Sequence, residues 1–283
     1  MYKGFNLKID NVAKFNSDNS YTNQLDEKKQ KITLTIDNIM FNNGYIDSEK
    51  IIDNWFPSDD YHVFISHSHQ DIDKAKALAN WLYENFKIKS FIDSHVWGYA
   101  NDLLYKLNHE YARLDADTFV YESAIIHAAN VHLMLSTALN EAIDKAECLF
   151  FINTNNTIQN IKLDDGNHEL RTASAWIMHE LKTSALIRRT LSDKRPKVAV
   201  EKYNLSIEEA VTILHKVSTE HLIDISEEDI MEWRGICNPI YKPQKMWLGR
   251  RHEHIEYDAL DKLYYSNDIN KKNSLLEDIL NDK

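Results

Sequence analysis

Glu180 stands four residues after Trp176 and three after Ile177. Around it Ala173, Trp176, Ile177, Leu181 and Ile187, with Ser184, recur at helical spacing from about His168 to Leu191. A carboxylate on or beside such a stripe is costly to bury unless it is paired or put to use. On a slightly rotated helix it is instead a solvated flank residue, and His168 and His179 on the same segment read as surface residues. A second group of reactive side chains lies in Ser66-His67-Ser68-His69-Gln70-Asp71. The imidazoles and carboxylate of His67, His69 and Asp71 alternate as zinc ligands can. The same residues also make a small polar loop whose hydroxyls and backbone N–H groups suit a phosphate-bearing ligand.

These groups need elements to hold them. From Tyr61 to about Val200 apolar strands alternate with amphipathic helices, which predicts a parallel sheet covered on both faces. His62–Ser66 reads as a buried strand, central in the sheet. Asp71 reads as the cap of a helix whose apolar face is Ala75, Leu78, Ala79, Leu82 and Phe86. Ile88–Asp93 is a second strand, followed by a loop, Ser94–Tyr99, and a helix through Leu103, Leu104 and Leu107. A long helix covers roughly Thr118–Lys145, where His127 and His132, five residues apart, fall on different faces. Glu147–Asn153 is the next strand. In open parallel sheets ligands bind beyond the carboxyl ends of the strands, so Ser66–Asp71, Asp93–Tyr99 and Asn153–Asn156 are the polar stretches that matter.

Outside this segment, residues 1–57 are rich in Asn, Asp and Lys, with one strand-like alternation at Ile32–Ile36 and a short helical pattern at Ser48–Trp55. Pro57–Asp60 reads as a break. Ser206–Ser218 and Ser226–Trp233 read as helices opened by serine caps, and the last thirty residues as charged and helical or frayed. The expected division is an N-terminal extension (1–57), an α/β domain (58–200) and a mainly helical C-terminal region (201–283).

Tyr61-His-Val-Phe-Ile-Ser-His-Ser68 resembles the first box of TIR (Toll/interleukin-1 receptor) domains, approximately (F/Y)DVFISYS. The order that follows is similar too: a helix with Leu78-Ala79-x-x-Leu82, then a strand ending Phe91-Ile-Asp93, then a loop where TIR domains have the BB loop. Ser174-x-Trp176-x-x-x-Glu180 resembles the pattern on the helix carrying the catalytic glutamate of TIR NADases. Here Ile92-Asp-Ser-His-Val-Trp-Gly98 stands in place of Arg-Asp-x-x-Pro-Gly, and the Phe-Trp box of animal receptors has no counterpart. The departures point to the bacterial, NAD-consuming type, including the TIR component of Thoeris-type antiphage systems.

The resemblance implies a flavodoxin-like parallel sheet flanked by helices and cleavage of NAD+ by Glu180. Ser66, His67, Ser68, Asp93, Trp97 and Trp176 would line the substrate. Breaking the nicotinamide–ribose bond develops positive charge on the ribose, as in glycoside cleavage. Nicotinamide leaves a pyridinium as a neutral molecule and needs no general acid, so one carboxylate suffices. An indole such as Trp176 can stack on the cationic ring, although a core position is the usual fate of a tryptophan. The resemblance further implies a homo-oligomer and an effector protein that senses the product, with NAD+ as substrate and no cofactor or metal. A non-catalytic TIR scaffold, and a zinc hydrolase using His67, His69 and Asp71, are the alternatives. Against the latter, Ile72 stands where metallo-β-lactamases have their next histidine.

Composition narrows the classes. Among 283 residues, 33 basic against 44 acidic give a net charge of −11, which argues against a large nucleic-acid or anionic-membrane footprint. Six glycines and four prolines, below the average of about 7% and 5%, favour helices over a turn-rich barrel. Two cysteines, Cys148 and Cys237, give no disulfide framework, and with no signal-like or membrane-spanning run a cytoplasmic location is expected.

Overall fold

The computed structural model describes residues 1–15, 17–27, 48–55, 61–92, 94–115, 118–187, 189, 214–241 and 255–267; at 49, 53–55, 94–99 and 238–241 it describes the backbone alone. The strands are β1 (Lys3–Leu7), β2 (Val63–Ser66), β3 (Ser90–Ile92), β4 (Cys148–Ile152), β5 (Gln159–Lys162), β6 (His168–Thr172), β7 (His215–Lys216) and β8 (Ile223–Ile225). The helices are α1 (20–27), α2 (Ser48–Trp55), α3 (Ile72–Phe86), α4 (Ser94–Leu107), α5 (Tyr121–Lys145), α6 (Ala175–Leu186), α7 (Glu227–Tyr241) and α8 (255–267).

Five strands form a parallel sheet in the order β3-β2-β4-β1-β8. The continuous apolar run Cys148-Leu-Phe-Phe-Ile152 is buried throughout, as a strand covered on both faces must be. Val63–Ser66 is paired on both sides, by β3 and β4. Phe5, Leu7, Ile65, Phe150 and Ile152 point to one face, against Trp81 and Phe86 of α3 and Trp233 of α7. Phe64, Leu149 and Phe151 point to the other, against Leu103 of α4, Leu135 and Leu139 of α5, and Ile177 and Leu181 of α6. The α3 stripe read from sequence is wholly buried, and the helix stops at Lys87, a left-handed residue (φ 58°) whose N–H reaches Tyr83 O.

This α/β sheet is compatible with a flavodoxin-like fold, whose strand order is 2-1-3-4-5. β3, β2 and β4 take the first three places. The fourth and fifth go to β1, from the segment expected to be an N-terminal extension, and to β8, from the segment expected to be a helical C-terminal region. Both pack in the common core through Phe5, Leu7 and Ile225, so the terminal segments are not merely helical additions. A Cβ at Gly4 would lie 2.5 Å from Leu222 Cδ2, so a larger residue there requires that side chain to shift.

Four local expectations change. The helix expected from His168 is a strand to Thr172, in an antiparallel β5-β6-β7 sheet, and the helix begins only at Ala175 behind the Ser174 cap. His168-Glu-Leu-Arg-Thr172 alternates in exposure, and this period of two was hidden beside a strong helical stripe. The expected loop Ser94–Tyr99 is the first turns of α4. His215–Lys216, expected in a helix, is strand β7. Asp71 makes no side-chain cap to α3; Ser68 caps the preceding 3-10 turn instead. The expected strand Ile32–Ile36 and the break at Pro57–Asp60 lie outside the described residues.

Candidate functional site

Ser66 ends β2 and is completely buried. Alternation along the strand turns it away from Ile65 and toward the face covered by α6. There its Oγ donates to Glu180 Oε2 at 2.6 Å, a short O–H···O bond. Glu180 has no exposed surface. It is neither the solvated flank residue of a rotated helix nor a solvent-lined carboxylate. α6 holds it there because Ser174 Oγ accepts from Ile177 N at 3.2 Å and Ile177 and Leu181 anchor the same face in the core.

The other expected lining residues make contacts of their own. His67 is buried just beyond β2, with Nδ1 3.3 Å from the Ile65 carbonyl. Ser68 Oγ accepts from Gln70 N. Trp176, one turn before Glu180, is half-buried against α5, with the His132 ring 5.7 Å away. Asp93 lies outside the described residues, as does the side chain of Trp97 on α4. Ser66 and Glu180 are thus the pair brought together.

Asp71 has a role that its reading as a cap missed. Its carboxylate accepts from Thr154 Oγ1 at 2.6 Å and Asn156 Nδ2 at 3.2 Å, while Lys74 Nζ, 3.9 Å away, donates to the Ile9 carbonyl. The loops after β1, β2 and β4 are thereby tied together beside the site. The signal was present in the polar strand end Asn153–Asn156. His69 is exposed and His67 turned inward, and no three His, Cys, Asp or Glu side chains among the described residues are placed to hold a metal ion.

Two imidazoles, His132 and His179, lie near Trp176. His179 lies 6.4 Å from its ring, and burial lowers the His179 pKa below the usual histidine value despite a hydrogen bond to the Ser136 backbone. His221 Nε2 lies 2.8 Å from Ser184 Oγ, which donates to the Leu181 carbonyl. Burial first, and then the Arg189 charge, lower its pKa as well. Ser184 is therefore a buried hydrogen-bond bridge and not a nucleophile awaiting a base.

No family model, curated protein or solved structure matches this chain. Among the described residues, no helix is long and apolar enough to cross a membrane.

Proposed function

We propose that this chain is a TIR-like enzyme of the bacterial NAD-consuming type, cleaving NAD+ at the nicotinamide–ribose bond with Glu180. The observation that carries this reading is a wholly buried carboxylate held by Ser66 at the carboxyl end of a parallel strand. Isolating a carboxylate from water is costly for folding, and such costs collect where charge is used. In the reaction the C–N bond breaks and its electron pair leaves with neutral nicotinamide. Glu180 stabilises the cationic ribose, water adds to the anomeric carbon, and its proton passes to solvent. An internal nucleophile in place of water gives a cyclic product.

Because Glu180 is fully covered, the ribose hydroxyls reach it only as α6 and the end of β2 part, replacing the Ser66 hydroxyl. The reading places the chain in the cytoplasm, in a Thoeris-like antiphage role, with a product-sensing effector protein downstream.

Self-association belongs to the same proposal. Tyr121, Ile125, Ile126 and Leu133 of α5 are exposed, Tyr121 at 78% and Ile126 at 58%. Ser123–Asn140 contains no Asp, Glu, Lys or Arg. Exposed apolar surface of this kind marks an interface. In a chain of net charge −11, an uncharged face is where two copies meet without repulsion, and a two-fold contact requires a self-complementary patch.

The test is nucleotide chromatography after incubating purified protein with NAD+. Release of nicotinamide together with linear or cyclic ADP-ribose is expected. Intact NAD+ from an assembled preparation favours the scaffold reading, with α5 as its assembly surface.

A further inference from the structure

Asn6 is a polar residue in the interior of a five-stranded sheet, 5% exposed and flanked in β1 by Phe5 and Leu7, which point to the opposite face. Strand register fixes its neighbours. Ser66 pairs with Phe151, Phe151 with Asn6, and Asn6 with Asp224. In a parallel sheet, paired residues share a face, so these four form one row across β2, β4, β1 and β8 on the α6 side. The row lies toward the carboxyl ends of the strands, where α/β sheets bind ligands. Ser66, with Glu180, ends it at one side, and Asn6 with Asp224 ends it at the other.

The second end is chemically unfinished. Asn6 Nδ2 donates to Asp224 Oδ1 at 2.5 Å, which fixes the amide and turns its oxygen outward from that bond. Asn6 Oδ1 is buried and has no partner among the described residues. Asp224 is exposed. An orphaned amide oxygen beside an accessible carboxylate is an acceptor-only pair, and its complement is a ligand group with two neighbouring O–H donors. At about 4.8 Å per strand interval, Asn6 lies roughly 10 Å from Ser66 along the row, and Asp224 roughly 14 Å. A dinucleotide carries a ribose diol at each end.

We infer that Asn6 and Asp224 form a second ribose subsite, which takes the adenosine-side diol of NAD+ while Glu180 takes the nicotinamide-side ribose. This rests on the reading of Glu180 given above. A carboxylate accepting from this ribose is how dinucleotide folds recognise NAD+, and it carries a specificity. A 2′-phosphate removes one donor and places two negative groups together, so NADP+ and its fragments are rejected by Asp224.

The experiment is calorimetric titration with three probes: ADP-ribose, its 2′-phosphate and nicotinamide mononucleotide. Wild type is compared with Asp224→Asn, an exposed substitution that leaves the fold intact, as a thermal melt verifies. Wild type should bind ADP-ribose at least about tenfold more tightly than the 2′-phosphate. Asp224→Asn should weaken ADP-ribose by about tenfold, the effect of one hydrogen bond to a charged group, and narrow the gap. Its affinity for nicotinamide mononucleotide should not change. Unaltered discrimination in Asp224→Asn overturns the inference, as does wild type that binds no ADP-ribose. If ADP-ribose binding depends on Asp224 but NAD+ is never cleaved, the subsite stands and the cleavage reading falls. If Glu180 cleaves NAD+ with Kd and KM indifferent to Asp224, the subsite alone falls.

Discussion

The Ser66 hydroxyl and the Glu180 carboxylate meet at 2.6 Å across 114 residues of sequence. Neither side chain has exposed surface, so the bond couples the end of β2 to α6 inside the core. A double-mutant cycle of Ser66→Ala and Glu180→Gln, followed by urea unfolding, measures it. Ser66→Ala should cost about 1–3 kcal/mol with Glu180 present, by taking a donor from a buried carboxyl group, and clearly less in the Glu180→Gln background. Additivity within about 0.5 kcal/mol would show that the two groups do not interact.

Glu180→Gln keeps the length of the side chain and deletes its charge. If Glu180 stabilises the ribose cation, kcat for NAD+ cleavage should fall by about 10²–10³-fold, roughly 3–4 kcal/mol. Stability should hold or rise, since a neutral amide is easier to bury than a carboxylate. Trp176→Ala should act mainly on KM. A folded Glu180→Gln protein that consumes NAD+ at the wild-type rate sinks the assignment.

Acid should weaken the fold in two stages. His179 and His221 have pKa values lowered from 6.5 by burial, so near and below that pH the unfolded chain binds protons that the native state refuses. Their contribution is complete above about pH 7 and declines as pH falls through 6.5. A later loss comes from Glu227. Burial raises its pKa, but bonds from Lys14 and the Asn11 and Asp10 amides outweigh burial and lower it from 4.5. This part is present above 4.5 and lost below it. Thermal melts from about pH 8 to 4 should show both stages, and His179→Asn should flatten the first. A wild-type profile level between pH 7 and 5 contradicts this account.

Ile126→Glu places a charge in the uncharged face of α5. Because Ile126 is 58% exposed, the monomer should be unaffected, within about 0.5 kcal/mol. Sedimentation should show the wild type as an oligomer and the variant shifted to monomer. If the two sediment alike, α5 is not the contact.

Much of the framework was legible from residue order. The apolar run Cys148–Ile152 and the buried stripe of α3 are local signals, set by side-chain period and backbone hydrogen bonding, and they reappear in place. Glu180 could also be singled out, because a carboxylate on an apolar stripe is conspicuous wherever the helix sits. Its rotation could not be read: spacing allows a flank position or an inward one, and packing of Ile177 and Leu181 against Phe151 decided for the inside.

Only the tertiary structure settled the places of β1 and β8. Gly4-Phe-Asn-Leu7 and Ile223-Asp-Ile225 alternate like strands exposed on one side, since Gly4, Asn6 and Asp224 lack the apolar bulk expected of a buried parallel strand. Pairing with Phe151 and Leu149, far along the chain, draws β1 into the sheet. Local sequence carries period and propensity, whereas strand order and register arise from contacts between distant segments. The Asn6–Asp224 pair is a product of that register alone.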